Sequence, residues 1–348
     1  MTSTDTPAEA VRTVGLRKAF RARGGTVDAV RGIDLTVAAG QVFGFLGPNG
    51  AGKTTTLRIL TTLLDADGGE AFVAGASVRT QSAEVRRRIG YVGQLGGADL
   101  SATGRENLLL QGRLYAMSAA RVREHAEELI SVLDLGGFAD RIARSYSGGQ
   151  RRRLEVALGI MNQPRVLFLD EPTTGLDPQN RANLWDQLRG LRDAGTTVFL
   201  TTHYLEEADL LSDRLAIIDH GAIIAEGTPA ELKRRYSADV LTLTPRLPDP
   251  DLPALARRLA GQPFVTAASA DGTDVRLAVA DATGAMAAVF AALQADGVEV
   301  IAASLAQPSL DDVFLRETGR SLRDTDAGSA RDQPEPPAAT DARAAALP

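Results

Sequence analysis

The sequence predicts an α/β fold with a smaller α+β module after it, on three observations. A Gly-x-x-x-x-Gly-Lys-Thr string, Gly47 to Thr54, lies between an apolar run, Val42 to Leu46, and a helical stretch, Thr54 to Leu64. Further apolar runs stop at polar residues, namely Gln94, the pair Asp170 and Glu171, and His203. Buried strands of an open α/β sheet present their ligand-facing groups at such ends. Past Val240 a different order begins, strand, helix, strand, strand, helix, strand, which suits a ferredoxin-like module.

Composition sets the limits. A chain of 348 residues with 44% hydrophobic content has room for one large domain and one small one. No stretch reaches the roughly 18 apolar residues of a membrane span, and Met1 to Ala10 lack the apolar core of a secretory leader. The absence of cysteine excludes disulfides and thiolate metal sites. A net charge of -6 argues against nucleic acid as the main partner.

Ahead of the glycine-rich string, Val11 to Leu16 reads as a short strand. Ile33, Leu35 and Val37 alternate with polar neighbours as a half-buried one. Arg17 to Gly25 reads as a basic loop holding Phe20, whose ring can stack on adenine or fill a core. In the string itself, glycines let backbone N–H groups turn toward phosphate, and the next helix adds a partial positive charge. Lys53 is spaced to reach β- and γ-phosphates, and the Thr54 hydroxyl to ligate Mg²⁺. Gly47, Pro48, Asn49, Gly50, Ala51, Gly52 and Thr55 complete that nucleotide-binding set. Leu57, Leu60, Leu63 and Leu64 stripe the helix, and Glu70 to Val73 is a strand.

Ile89 to Val92 is strand-like, and the amide of the following Gln94 can reach an ion or water, or simply face solvent. Arg105 to Met117 and Ala119 to Leu133 carry helical periods; the charges of the second make a solvated face or a docking groove. Ser147 is a good N-cap for the helix holding Leu154, Val156, Leu158 and Ile160. With Gly148, Gly149 and Gln150 it can also expose N–H groups as a second anion site. Val166 to Leu169 ends at two adjacent carboxylates, costly to bury unless used. Asp170 suits a Mg²⁺ shell and Glu171 the activation of water. Thr197 to Thr201 is another buried-type strand, with His203 just past it.

In this order the residues resemble the ATP-binding subunits of ABC transporters, over about residues 10–236. Lys53 lies in what looks like Walker A, Gln94 in the Q-loop and Ser147 to Gln150 in the family signature. Asp170 and Glu171 end the Walker B strand. Gly175 to Asp177 is similar to the D-loop, His203 to the switch histidine, and Phe20 to the adenine-stacking aromatic. Tyr146 departs from the leucine that usually opens the signature. More narrowly, the strings Tyr146 to Leu154, Glu171 to Pro178, Thr201 to Asp209 and Pro308 to Leu315 resemble the daunorubicin-resistance type. Several members of that subgroup carry glutamine where this chain has His203.

The resemblance implies a P-loop NTPase domain of the ABC ATPase type with a signature helical subdomain, then a ferredoxin-like α+β accessory domain. The expected boundaries are 8–236 for the ATP-binding domain, 237–318 for the accessory domain and 319–348 for a disordered tail. It further implies two copies head to tail, each ATP held by Walker A of one and by Ser147 and Gly149 of the other. Lys53, Thr54, Gln94 and Asp170 would organise phosphates and Mg²⁺, Glu171 would activate water and His203 would sense the γ-phosphate. A separate integral membrane permease would carry the cargo, which places the chain peripherally on the cytoplasmic side of the cell membrane. Efflux of a drug or antibiotic is the leading reading, with lipid, polysaccharide or another cargo as alternatives. A soluble ATPase of translation or chromosome maintenance fits poorly, because the chain has a single Lys53-type loop and no long coiled-coil insert before Ser147. Every catalytic candidate precedes Asp209, so 240–318 is expected to be dispensable for ATP chemistry.

Overall fold

The structure, a computed structural model, describes residues 9–22, 25–236, 239–246, 251–279, 282–306 and 309–318. The disordered tail expected over 319–348 lies outside them.

The chain opens with a hairpin, β1 (Glu9–Ala22) and β2 (Gly25–Ala38), joined by β4 (Gly68–Val73) and the short β5 (Ala76–Ser77) in an antiparallel sheet ordered β2-β1-β4-β5. The alternation at Ile33, Leu35 and Val37 buries all three on its inner face. Arg17 to Ala22 is not the loop expected from its basic composition. It continues β1, with Lys18 opposite Val30 and Phe20 opposite Val27. Pairing with the neighbouring strand satisfies those backbone groups, which composition does not reveal.

The second sheet carries the site. It comprises β3 (Val42–Leu46), β6 (Ile89–Val92), β7 (Val166–Asp170), β8 (Thr197–Thr202), β9 (Arg214–Asp219) and β10 (Ala222–Gly227), ordered β10-β9-β3-β8-β7-β6. All neighbours run parallel except β10, which pairs antiparallel with β9. Every residue of β3, β7 and β8 is buried, the reason these strands read as unbroken apolar runs. On one face Phe43, Phe45 and Phe168 gather around Phe199 with ring centroids 5.5–5.7 Å apart.

Helix α1 (Lys53–Leu60) stops short of the expected Leu64 because Thr62 takes a positive φ of 63° and Leu63 and Leu64 N–H both turn back to Arg58 O. It is followed by α2 (Ser82–Arg88), α3 (Gly104–Leu114), α4 (Ala119–Val132), α5 (Gly148–Ile160), α6 (Pro178–Asp193) and α7 (Leu205–Leu211). Residues of α3 to α6 share a core with the other face of the parallel sheet. Tyr146 belongs to that core: it is buried, its hydroxyl donates to Phe138 O at 2.7 Å, and its ring meets Phe138 edge-on at 4.8 Å.

After α8 (Pro229–Tyr236) comes the module: β11 (Asp239–Arg246), α9 (Leu252–Ala260), β12 (Val265–Asp271), β13 (Asp274–Val279), α10 (Ala282–Ala295) and β14 (Glu299–Ala306). Its antiparallel order, β12-β13-β11-β14, is the interleaved ferredoxin-like arrangement, with its own core around Leu241, Leu277 and Val289. The chain then returns. Leu310, Val313 and Phe314 of α11 (Leu310–Thr318) are buried in one cluster with Leu46, Ala208, Leu215, Ile217, Ala225 and Leu232. The last described helix is therefore built into the larger domain, behind the strand that ends at the phosphate loop. Nothing in the spacing of catalytic candidates signals this return.

Candidate active site

The phosphate loop links β3 to α1, and two of its glycines are required by close approach. A side chain on Gly47 would meet Ile218 O at 2.3 Å, and one on Gly52, which caps α1 with φ 105°, would meet Ala29 O at 2.2 Å. The β1–β2 hairpin is thus pressed against the loop. Phe20 lies on that hairpin, 41% exposed, with Lys18 Nζ 5.7 Å from its ring centroid. Between the two glycines the loop bends through Pro48, Asn49, Gly50 and Ala51, with Ala51 N–H donating to Pro48 O at 3.2 Å.

Lys53 points back under its own loop. Its buried ammonium donates to Gly47 O at 2.6 Å and Pro48 O at 3.1 Å, and lies 3.5 Å from Glu171 Oε1. Next to it the Thr54 hydroxyl donates to Asp170 Oδ1 at 3.1 Å. Thr55, the last residue of the string, is half-buried in α1. Asp170 is 1% exposed and accepts a second, shorter bond of 2.6 Å from Thr201 Oγ1 on the neighbouring β8. Thr201 also accepts the Glu171 N–H, through both its hydroxyl and its carbonyl at 3.1 Å. The sequence assigns Thr201 no role, because a threonine inside a buried-type run carries no signal of what it bonds until its partner strand is known.

Glu171 takes a left-handed backbone with φ 46°, which for a non-glycine residue costs on the order of 1–3 kcal/mol. His203 Nδ1 lies 3.3 Å from its Oε1. Burial pushes its carboxyl upward, but His203, Lys53 and Gln94 together outweigh that and hold it at about 2. Gln94, His203 and Lys53 therefore converge on one carboxylate. Around Gln94 and Glu171 lies a cleft of about 400 Å³ whose lining includes Gly148, Arg151 and Leu176.

The Ser147 to Gln150 segment caps α5. Ser147 Oγ accepts the Gln150 N–H at 3.2 Å and Gln150 Oε1 accepts the Ser147 N–H at 3.1 Å, so both side chains serve a capping box. Gly149 is pressed onto α6, where a side chain would meet Asn180 Oδ1 at 2.3 Å. The cleft beside Glu171 is lined by Gly148 of this segment but by no residue of the phosphate loop. The structure also brings out two buried residues inside the resembling strings to which the sequence assigned no role. Arg152 of α5 bonds into the loops of Gln94 and Glu171, and Glu207 of α7 accepts the Trp185 indole N–H at 3.1 Å.

Thr54 and Asp170, adjacent at the phosphate loop, are hard oxygen donors, and Mg²⁺ favours a few such ligands completed by phosphate oxygens and water. The donor set fits that ion. Among the described residues no group of three or more His, Cys, Asp or Glu side chains gathers as an all-protein metal cage.

Comparison with known proteins agrees with this geometry. The family described as ABC transporter matches residues 30–174, and the ATP-binding protein DrrA1-3-like C-terminal domain matches 227–318. The chain is 49% identical over 320 residues to the daunorubicin/doxorubicin resistance ATP-binding protein DrrA of Streptomyces peucetius, covering 91% of this chain and 95% of that one. It is 40% identical over 311 residues to the Nod factor export ATP-binding protein I of Ralstonia nicotianae, covering 89% and 94%. Among solved structures it is similar to a dimeric ATP-binding cassette in a post-hydrolysis state with ADP and phosphate. That match has a TM-score of 0.58 and 26% identity, over 63% of this chain and 98% of that one. The chain belongs to the ATP-binding subunits of ABC transporters, in the daunorubicin-resistance type, and is an ATPase whose hydrolysis is coupled to transport.

Proposed function

We propose that this ATPase drives efflux of a drug, an antibiotic or a similar amphipathic compound through a separate membrane subunit, with Glu171 as the residue that activates water. What supports the chemical part is one observation: the Glu171 carboxylate lies 3.5 Å from the ammonium of Lys53. In this reading Lys53 and the backbone N–H groups of Gly47 to Thr55 bind the phosphates, and Phe20 offers an exposed ring to adenine. Gln94 and His203 orient Glu171 and the γ-phosphate. Thr54, Gln94 and Asp170 would hold Mg²⁺, which would neutralise phosphate charge. A positioned general base contributes roughly 10²–10⁴-fold, so Glu171 governs turnover more than binding.

The cleft at the signature segment holds no phosphate-loop residue of its own chain, which favours a second copy supplying Ser147, Gly148, Gly149 and Gln150 across a head-to-tail dimer. We assign the ATP-binding domain to 8–236 and the accessory domain to 237–318, with α11 returning to the former. No helix among the described residues is long and apolar enough to cross a membrane, so the cargo path is assigned to a permease. The chain then sits on the cytoplasmic side of the cell membrane. A second cargo class rests on the 40% identity to a Nod factor export subunit.

Co-expression with the membrane subunit tests this. The chain should move to the membrane fraction, and cells should accumulate less anthracycline than those carrying Glu171→Gln. A chain that stays out of the membrane fraction at matched expression overturns the transporter assembly. Normal localisation with active ATPase but no effect on any drug shifts the cargo to the second class.

A further inference from the structure

Arg152 is the middle one of three arginines, Arg151 to Arg153, that follow the capping residue Gln150. It is 7% exposed and lies on α5, the helix begun by the signature. Its guanidinium meets three backbone carbonyls and one carboxylate. Nε donates to Pro172 O at 2.8 Å, Nη2 to Asp170 O at 3.2 Å, and Nη1 to Gly93 O and Glu155 Oε2, both at 2.9 Å. Glu155, one turn along the same helix and also buried, balances the charge. A planar fork with five N–H donors can serve several acceptors at fixed angles, which an ammonium cannot.

The identity of those carbonyls matters. Asp170 O and Pro172 O flank Glu171 on either side, and Gly93 O immediately precedes Gln94. Glu171 holds an unfavourable φ of 46°, and such a conformation persists only where its surroundings over-determine it. Thr201 grips its N–H from β8, while Arg152 grips the carbonyls before and after it. Glu155 also lies close against the Gln94 loop: a side chain on Gly96 would meet Glu155 Oε1 at 2.0 Å.

We propose that Arg152, oriented by Glu155, is a positioning residue for hydrolysis. It fastens the signature helix to the peptide groups around Glu171 and Gln94, so that the helix and the catalytic carboxylate keep one geometry. The proposal rests on the reading of Glu171 as the water-activating residue. The hydrogen bonds of Arg152 all go to protein groups, so its loss should appear in kcat more than in ATP affinity.

The test measures kcat, KM and equilibrium ATP binding on the full-length chain for Arg152→Lys, Glu155→Gln and Glu171→Gln. Arg152→Lys keeps the charge beside Glu155 but cannot span three carbonyls. A misplacement near 1 Å can cost about 10²-fold, and a drop in kcat of about 10–100-fold with ATP affinity within about twofold is expected. Glu155→Gln, which keeps shape and acceptor, should lower kcat by several-fold at unchanged affinity. It decides the matter if Arg152→Lys does not fold. Wild-type kcat in Arg152→Lys beside an inactive Glu171→Gln overturns the proposal alone, as does a parallel loss of affinity and turnover. Normal hydrolysis by Glu171→Gln overturns the underlying assignment instead.

Discussion

Glu171 Oε1 lies 3.5 Å from Lys53 Nζ, which joins the end of β7 and the start of α1 in one buried pair. The two halves should fail differently. Glu171→Gln keeps size and hydrogen-bonding capacity but loses the proton acceptor, so hydrolysis should fall by about 10²–10⁴-fold while ATP still binds and holds two cassettes together. Lys53→Ala removes the phosphate ligand and takes one cation from beside the Glu171 carboxylate, so ATP binding and the nucleotide-dependent dimer should both be lost. Steady-state ATPase rates with sedimentation in the presence of ATP distinguish the two. Near-wild-type hydrolysis by folded Glu171→Gln rejects this residue as the base.

Thr201→Val tests the bridge between β7 and β8. Valine fits the strand and keeps the volume, but removes the hydroxyl that donates to Asp170 Oδ1 at 2.6 Å and accepts the Glu171 N–H. Asp170, which is buried, is left with one fewer donor, at about 1.5–3 kcal/mol for a hydrogen bond to a charged group. Chemical denaturation should show that loss, and ATPase activity should drop with it. Unchanged stability and unchanged turnover would remove Thr201 from the site.

Glu207 gives the pH prediction. It is wholly buried, and burial raises its carboxyl above the usual range despite Thr202, Trp185, Thr173 and the Arg181 charge, which favour the ionised form. A carboxyl raised in the fold binds its proton more tightly folded than unfolded. Its destabilising contribution is therefore absent below the ordinary value of 4.5 and grows as pH rises toward the folded value. Glu207→Gln, which can still accept the Trp185 N–H, should flatten that fall. It should stabilise the chain near pH 8 by about 1.4 kcal/mol for each tenfold by which folding tightens the proton, with little effect near pH 4.5. Urea unfolding at the two pH values decides; a variant less stable at about pH 8 would mean the native carboxyl is ionised and needed.

Phe314 tests the return of α11. It is fully buried in a cluster with Leu46, the residue before the phosphate loop. Phe314→Ala should cost about 3–5 kcal/mol, read as a lower unfolding midpoint of the ATP-binding domain that ATP partly restores. A chain ending near Tyr236 should lose at least as much, since Leu215, Ile217 and Leu232 lose their cover. Unfolding of that domain at the wild-type midpoint in both would show that α11 is not part of its core.

Several features are legible in sequence because their causes are local. The phosphate loop needs its glycines and Lys53 within a few residues, and a strand buried on both faces, such as Val166 to Leu169, announces itself as an apolar run. The capping box of Ser147 and Gln150 is likewise written in three-residue spacing. The family resemblance supplied the order in which such pieces belong, and with it the roles of Gln94 and His203.

Neighbours along the chain were thus enough for the loop, the strand ends and the alternation of elements in the module. Only the folded chain shows that Arg17 to Ala22 is a strand, that Thr201 serves Asp170, that Arg152 grips the carbonyls around Glu171, and that α11 packs behind β3. Each of these depends on a partner brought in from another element. Backbone carbonyls have no residue identity for a pattern to detect, and a buried polar group declares its purpose only when the group that satisfies it is brought within hydrogen-bond distance.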